Sequence, residues 1–431
     1  MSHPSEWSFD TLQIHAGQEP DSDFGARALP IYQTTSYVFK DAAQAAGRFA
    51  LTDPGPIYTR LTNPTTSVVE NRIATLEGGA AGLLVASGEA AEFYTFIALA
   101  QQGDNIVSSP SLYGGTYNLL KTTLAQFGIE ARFVDNPDDP ENWRALVDDH
   151  TRALYGETIP NPKGDILDIE ALAQIAHANG IPLVVDNTIA SPYNTRPLEW
   201  GADIVVESAT KFLGGHGTSI AGAIVEKGDF DWKNGKFPLL ATPDASYNGL
   251  TFADLGPGGF VTFIRATLLR DTGAVISPFN SFLIEQGIET LSLRVQRHLD
   301  NTKAVVEFLT HRDEVDFVQY SGLVSSPYYE LARKYTPKGA GSVFTFDLKG
   351  GREAGIAFIN ALELFSNLAN IGDARSLAIH PASTTHSQLD DDELHAAGID
   401  AGTVRLSIGI EDKQDIIADL DRGLRAAAKA A

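Results

Sequence analysis

Apolar residues fall in short, nearly unbroken runs through the first half of the chain, and the stretches between them repeat at helical spacing. Ala81–Ala86, Asn105–Ser109, Ile129–Val134, Arg152–Glu157, Ile181–Asp186 and Ala202–Glu207 read as strands. Apolar runs without alternation suit strands covered on both faces. Helices are predicted over Gly88–Gln101 and Gly115–Phe127, and from an N-cap at Asp168 through Ala178. A short side-chain oxygen at that position accepts a free amide of the first turn. Strands alternating with helices in this way predict an α/β fold built on a mostly parallel sheet.

The pattern changes on both sides of this region. Residues 1–63 have little periodicity and many turn formers, among them Pro20, Gly25, Pro30, Pro54, Gly55 and Pro56. They read as an extended arm with no core of its own, the kind of segment that packs on another surface such as a neighbouring subunit. Residues 64–285 read as a large domain carrying a Gly-, Pro- and aromatic-rich insertion at about 228–285. Residues 286–431 read as a smaller C-terminal α+β domain. It has a long helix over Glu289–Leu309, strands at Asp316–Tyr320, Ser342–Leu348 and Val404–Ile408, and helices at Glu353–Leu364 and Gln414–Lys429.

Composition narrows the chemistry. The 431 residues are 43% hydrophobic and 20% charged, as a large buried core requires. There is no cysteine, which excludes disulfides, Cys-ligated zinc and thiol nucleophiles. A formal net charge of −23 repels nucleic acid and anionic membranes. No run reaches the ~20 apolar residues of a membrane-spanning helix. The first residues lack a basic segment followed by an apolar one, so a cytoplasmic enzyme without nucleic-acid or membrane partners is expected.

Three sites carry candidate chemistry. Lys211 follows the Ala202–Glu207 strand, has Ser208 and Thr210 close before it, and leads into a Gly-rich turn. Most lysines are solvated, but one at the carboxyl end of a parallel strand lies where α/β folds bind ligands. A partly desolvated amine there can attack an aldehyde. Asp186 ends another buried strand, where a carboxylate must be paired or solvated in a cleft. Alone it reads more readily as a structural cap. Ser87-Gly88-Glu89 opens a helix whose first amides and dipole favour a phosphate. That turn lacks the G-x-G-x-x-G pattern that would favour a non-catalytic dinucleotide-binding protein. No metal site is expected.

Together these segments resemble the pyridoxal-phosphate (PLP)-dependent enzymes of Cys/Met metabolism. The matching motifs are Tyr58-Thr59-Arg60 with Asn63-Pro64-Thr65, Ser87-Gly88, Tyr113-Gly114, Asp186-Asn187-Thr188 and Ser208-Ala209-Thr210-Lys211, in family order along essentially the whole chain. The resemblance implies fold type I and a role for each residue. Lys211 is the Schiff-base lysine and proton-moving base. Asp186 pairs with the pyridinium nitrogen. Tyr113 stacks on the ring and assists at the leaving group. The Gly88 and Glu89 amides, Ser208 and Thr210 bind the phosphate, and Tyr58 and Arg60 complete that site from an adjacent subunit. Asn161 bonds the phenolic oxygen. Arg405 holds the substrate α-carboxylate by a bidentate contact. Tyr58, Asn370 and Arg375 are further substrate-site candidates. Glu89 departs from the family, whose members more often have Gln or Met there.

Within the family, three features resemble the O-acetylhomoserine sulfhydrylases. The insertion contains Pro243–Tyr247 and Leu268–Gly273, and Asn370–His386 is close to their version of a shared segment. Methionine γ-lyases usually have Cys two positions after the stacking Tyr, where this chain has Gly115. The resemblance therefore implies γ-replacement on O-acetylhomoserine by sulfide or a small thiol, in methionine biosynthesis, by a homo-oligomer, commonly a tetramer of active dimers. Cystathionine γ-synthase and methionine γ-lyase remain the alternatives.

Overall fold

The computed structural model describes residues 7–161, 163–384 and 399–430. Two sheets organise the chain. The larger has seven strands: β1 (Ala81–Val85), β2 (Asn105–Ser108), β3 (Glu130–Phe133), β4 (Thr151–Glu157), β5 (Leu183–Asp186), β6 (Ile204–Glu207) and β7 (Gly222–Glu226). Their spatial order is β1-β7-β6-β5-β4-β2-β3. All are parallel except β7, which runs antiparallel to both β1 and β6. The apolar runs are buried as their lack of alternation requires; every residue of β2, β6 and β7 is buried.

The helices between the strands begin where short polar residues cap them. Ser87 accepts from the Ala90 amide, Asp168 from Ala171, and Asn63 from Thr65 and Thr66. The segment predicted as one helix over 115–127 is a mixed coil of helix. One turn, Gly114–Asn118, widens to a π turn and then tightens to a 3-10 turn ending at Phe127. Two consecutive glycines at its start contribute little helix propensity. The short strand β7 also went unread, because the rhythm of the sequence breaks at the Gly-rich turn after Lys211.

The 228–285 stretch is woven into the large core rather than appended to it. Trp232, Phe237, Phe252, Phe260 and Phe263 are buried there, with Trp232 stacked on Phe260 at 5.0 Å. Glu226 ties it down by accepting from the Gly258 and Val261 amides at 2.7 and 2.6 Å.

The second sheet has the order β10-β11-β12-β9-β8, from β8 (Val315–Gln319), β9 (Val343–Leu348), β10 (Ser366–Asn367), β11 (Leu377–Ile379) and β12 (Thr403–Ser407). Helices Gly351–Ala361 and Lys413–Ala430 cover it, burying Phe358, Leu420 and Leu424 against Phe346 and Leu406. The helix Leu291–Leu309 belongs to both cores. Leu291, Val295 and Leu299 enter the first, and Val305, Val306 and Leu309 the second.

The N-terminal segment divides in two. Helix Phe9–His15 docks on its own chain, where Gln13 exchanges two hydrogen bonds with Ser292 at 2.9 and 3.0 Å. The buried Arg72 adds bonds to the Ala16 carbonyl, Gln18 and Glu285 at 2.8–2.9 Å. Beyond it the chain offers apolar side chains to solvent: Phe24 is 93% and Val38 99% exposed. Among the described residues, no helix is long and apolar enough to cross a membrane.

Candidate active site

Strands β4, β5 and β6 end side by side, and their last residues and following turns line a cavity of about 380 Å³. Such a position, outside the carboxyl ends of parallel strands, is where α/β sheets place ligands. The cavity brings together Ser87, Gly88, Glu89, Tyr113, Asn161, Asp186, Ser208, Thr210, Lys211, Asn370 and Arg405, residues that lie up to some three hundred positions apart in sequence.

Lys211 stands at the end of the turn after β6. Its Nζ donates to Asn370 Oδ1 at 2.6 Å. Burial lowers its pKa below the ordinary lysine value, and the nearby Arg405 guanidinium lowers it further. The backbone of the turn is held from behind. The buried Arg294 donates to the carbonyls of Phe212, Leu213 and Gly287 at 2.8, 3.2 and 2.6 Å, and burial lowers its own pKa to about 10. Gly372 sits so close that a Cβ there would lie 2.9 Å from the Phe212 amide. The 369–373 loop between β10 and β11 is thereby pressed onto the Lys211 turn.

Gly88 and Glu89 open the helix Gly88–Leu99, whose first amides have no partner within the helix. A Cβ on Gly88 would lie 2.8 Å from Ser208 Cβ, and one on Gly222 would lie 1.9 Å from the Ser87 carbonyl oxygen. Only glycine allows these backbones to close into a cradle. The Ser208 amide donates to Thr188 Oγ1 at 2.8 Å, and Thr210 Oγ1 exchanges bonds with Ala221 at 3.1 and 3.0 Å.

The opposite wall is acidic. Asp186 accepts from the Thr188 amide at 2.7 Å. Glu92 accepts from Thr116 and Tyr155 hydroxyls at 2.9 and 2.7 Å, and Glu157 accepts from the Tyr113 amide at 2.5 Å. Burial raises the pKa of all three, most for Glu92 and Glu157. The hydrogen bond from the Thr188 amide opposes the rise at Asp186. Burial and then the Asp186 charge raise the pKa of Glu89 as well.

Arg405, on β12, reaches Asn161 Oδ1 at 3.5 Å and the Asn370 carbonyl at 3.3 Å. These are long contacts, and they leave its donors available to a carboxylate. Tyr113 is 53% exposed at the mouth, and burial of its hydroxyl side raises its pKa.

Three expected residues stand elsewhere. Arg375 lies outside the cavity, exposed and held by Asp373 at 3.2 Å, because the turn aims it to solvent. Tyr58 and Arg60 do not line the cavity of their own chain. Arg60 stacks over the Tyr58 ring at 5.3 Å and donates to the Arg270 carbonyl. Thr385 and His386, the end of the shared segment, lie outside the described residues. Conversely, Glu92, Glu157 and Arg294 went unassigned in the sequence. Buried charges inside helices and at strand ends carry no motif, and only their placement in an otherwise apolar run marks them.

The sequence profile described as Cys/Met metabolism PLP-dependent enzyme matches residues 10–425. The chain belongs to that family. It is 52% identical over 430 residues to an O-acetyl-L-homoserine sulfhydrylase of Corynebacterium glutamicum, covering 99% of this chain and 98% of the relative. A homocysteine synthase of Schizosaccharomyces pombe is 48% identical over 423 residues, covering 97% and 98%. A crystal structure of a Campylobacter jejuni protein assigned as an O-acetylhomoserine (thiol)-lyase carries N'-pyridoxyl-lysine-5'-monophosphate. It matches with a TM-score of 0.94 at 42% identity, covering 97% of this chain and 100% of that one. The fold is thus fold type I of the PLP-dependent enzymes, and pyridoxal phosphate is its cofactor. The cavity fits that group: free amides in a glycine cradle for a phosphate, a desolvated amine for an aldehyde, and a buried carboxyl for a ring nitrogen.

Proposed function

We propose that this PLP-dependent enzyme carries out γ-replacement on O-acetyl-L-homoserine. The Cγ–O bond breaks, sulfide forms the Cγ–S bond, and L-homocysteine and acetic acid are the products; methanethiol in place of sulfide gives methionine. The observation that carries this reading is full-length identity of about half the residues to O-acetyl-L-homoserine sulfhydrylases.

Bound in the cradle, pyridoxal phosphate supplies an electron sink for the substrate amino acid. The residue roles are those the family resemblance implies. Lys211 holds the cofactor aldehyde and, once released, moves protons at Cα and Cβ. Asp186 keeps the ring nitrogen protonated, and Glu92 and Thr188 hold Asp186. The Gly88 and Glu89 amides with Ser208 and Thr210 bind the phosphate. Asn161 faces the phenolic oxygen, Tyr113 covers the ring and serves the leaving oxygen, and Arg405 grips the α-carboxylate. Asn370 orients Lys211.

The exposed arm supports a second subunit as the recipient of Tyr58 and Arg60; from the family resemblance we further propose a tetramer of active dimers, working in the cytoplasm in methionine biosynthesis. The test is a nucleophile panel with O-acetylhomoserine and product identification. Homocysteine from sulfide supports the reading. Cystathionine from cysteine as the dominant product would instead make it a cystathionine γ-synthase, and 2-oxobutanoate without a nucleophile a γ-lyase.

A further inference from the structure

The Glu89 side chain is not needed for the phosphate, whose contacts there are backbone amides, and a carboxylate near a phosphate is unfavourable. It nevertheless lines the cavity. The reason it fits is Gly115. A Cβ at that position would lie 2.0 Å from Glu89 Oε1 and 2.5 Å from Tyr113 Cε1. The missing side chain at 115 is the space the Glu89 carboxyl occupies, against the edge of the Tyr113 ring.

Charge in the cavity is lopsided. The described lining residues include two cations, Lys211 and Arg405, and four acids, Glu89, Glu92, Glu157 and Asp186. Lys211 is committed to the cofactor and Arg405 to the α-carboxylate. A substrate with a second carboxylate on its acyl group therefore finds no free cation among them, and the acid whose charge bears most on the Tyr113 hydroxyl is Glu89. Arg375, the next candidate cation, is turned to solvent on Asp373.

We propose that Glu89, seated over Gly115 beside Tyr113, is a specificity-determining residue that makes the site reject O-acyl homoserines bearing a terminal carboxylate, such as the succinyl ester, in favour of the neutral acetyl ester. The inference rests on the γ-replacement reading. It works by building in an unfavourable encounter rather than a better contact. The pocket is partly desolvated, so like charges are poorly screened there. Glu89 shares the cavity with Asp186 from β5, Glu157 from β4, Glu92 from its own helix, and Tyr113; burial first, and then the Asp186 charge, raise its affinity for a proton. Selection against the succinyl ester weakens as pH falls and Glu89 takes up that proton.

The experiment compares kcat/KM for O-acetyl- and O-succinylhomoserine with sulfide, in the PLP-loaded wild type, Glu89→Gln and Gly115→Ala, across pH. Absorbance titration with each ester reads binding alongside turnover. Glu89→Gln is expected to raise the succinyl-to-acetyl ratio roughly 10–100-fold, as removal of one like charge from a half-buried pocket implies, and to flatten its pH dependence. Gly115→Ala, which displaces the same carboxyl, shifts the ratio in the same direction. A merely helix-stabilising Glu89 would change both esters equally, and an unchanged ratio in both variants overturns the inference. So does a wild type that prefers the succinyl ester. A wild type that converts neither ester removes the γ-replacement reading and this inference with it, whereas the unchanged ratio sinks only the inference.

Discussion

Lys211 Nζ and Asn370 Oδ1 meet at 2.6 Å across 159 residues of sequence, joining the turn after β6 to the loop between β10 and β11. The amine is aimed by a side chain that the C-terminal region supplies. Asn370→Ala is therefore expected to lower kcat by ~10–100-fold, the weight of a hydrogen bond to a charged or reacting group. The cofactor absorbance should persist, since the Gly88 cradle is untouched. Steady-state kinetics beside an absorbance spectrum separates the two effects.

The Lys211 amine has a pKa below the usual 10.5, by burial first and by Arg405 second. A lower pKa means a larger neutral, nucleophilic fraction at a given pH. In PLP-free protein, the rate of capture of added pyridoxal phosphate should rise with pH to a midpoint below 10.5. Arg405→Gln should move that midpoint upward, because a like charge has been removed. The same variant should raise KM for the amino-acid substrate by ~10-fold or more through loss of the carboxylate contact.

Burial raises the pKa of Glu92 well above 4.5. The sign follows directly. At pH values between the unfolded and folded pKa, the folded chain holds a proton that the unfolded chain has lost, so stability falls as pH rises through that window. Glu92→Gln mimics the neutral acid and removes this part of the slope. Its thermal midpoint should fall less between pH 5 and pH 9 than that of the wild type, in scans at matched ionic strength. An equal slope would mean that Glu92 is ionised. Glu92→Leu, by contrast, leaves the Thr116 and Tyr155 hydroxyls without their acceptor, at a cost of ~1–3 kcal/mol.

Gly88→Ala sets a methyl 2.8 Å from Ser208 Cβ. The strand ends must part, at ~1–3 kcal/mol for overpacking. If those ends hold the cofactor phosphate as proposed, the loss appears as weaker PLP affinity, ~10-fold or more, measured by equilibrium titration. Gly103, with nothing near its Cβ position, is the control for crowding, though its φ of +93° disfavours a side chain.

Much of this was legible beforehand because parallel strands advertise themselves. Val184, Val185, Val205 and Val206 lie in runs that only a doubly covered sheet explains, and Asp186 and Lys211 end or follow those runs. What the sequence hid was of two kinds. Strand β7 follows the glycine turn after Lys211, where the strand–helix rhythm of the sequence breaks. The pairing of Arg375 with Asp373, two residues earlier, carried no local mark. The burial of Glu92 and Arg294 depends on contacts with Thr116, Tyr155, Phe212 and Leu213, which the chain supplies from separate elements.

The central claim is a covalent bond at one amine. The direct test is borohydride reduction of the purified holoenzyme, digestion and mass spectrometry. A phosphopyridoxyl group on the peptide containing Lys211, and its absence from Lys211→Ala, is the predicted result. An unmodified Lys211 peptide, or the same adduct on another lysine, would contradict it.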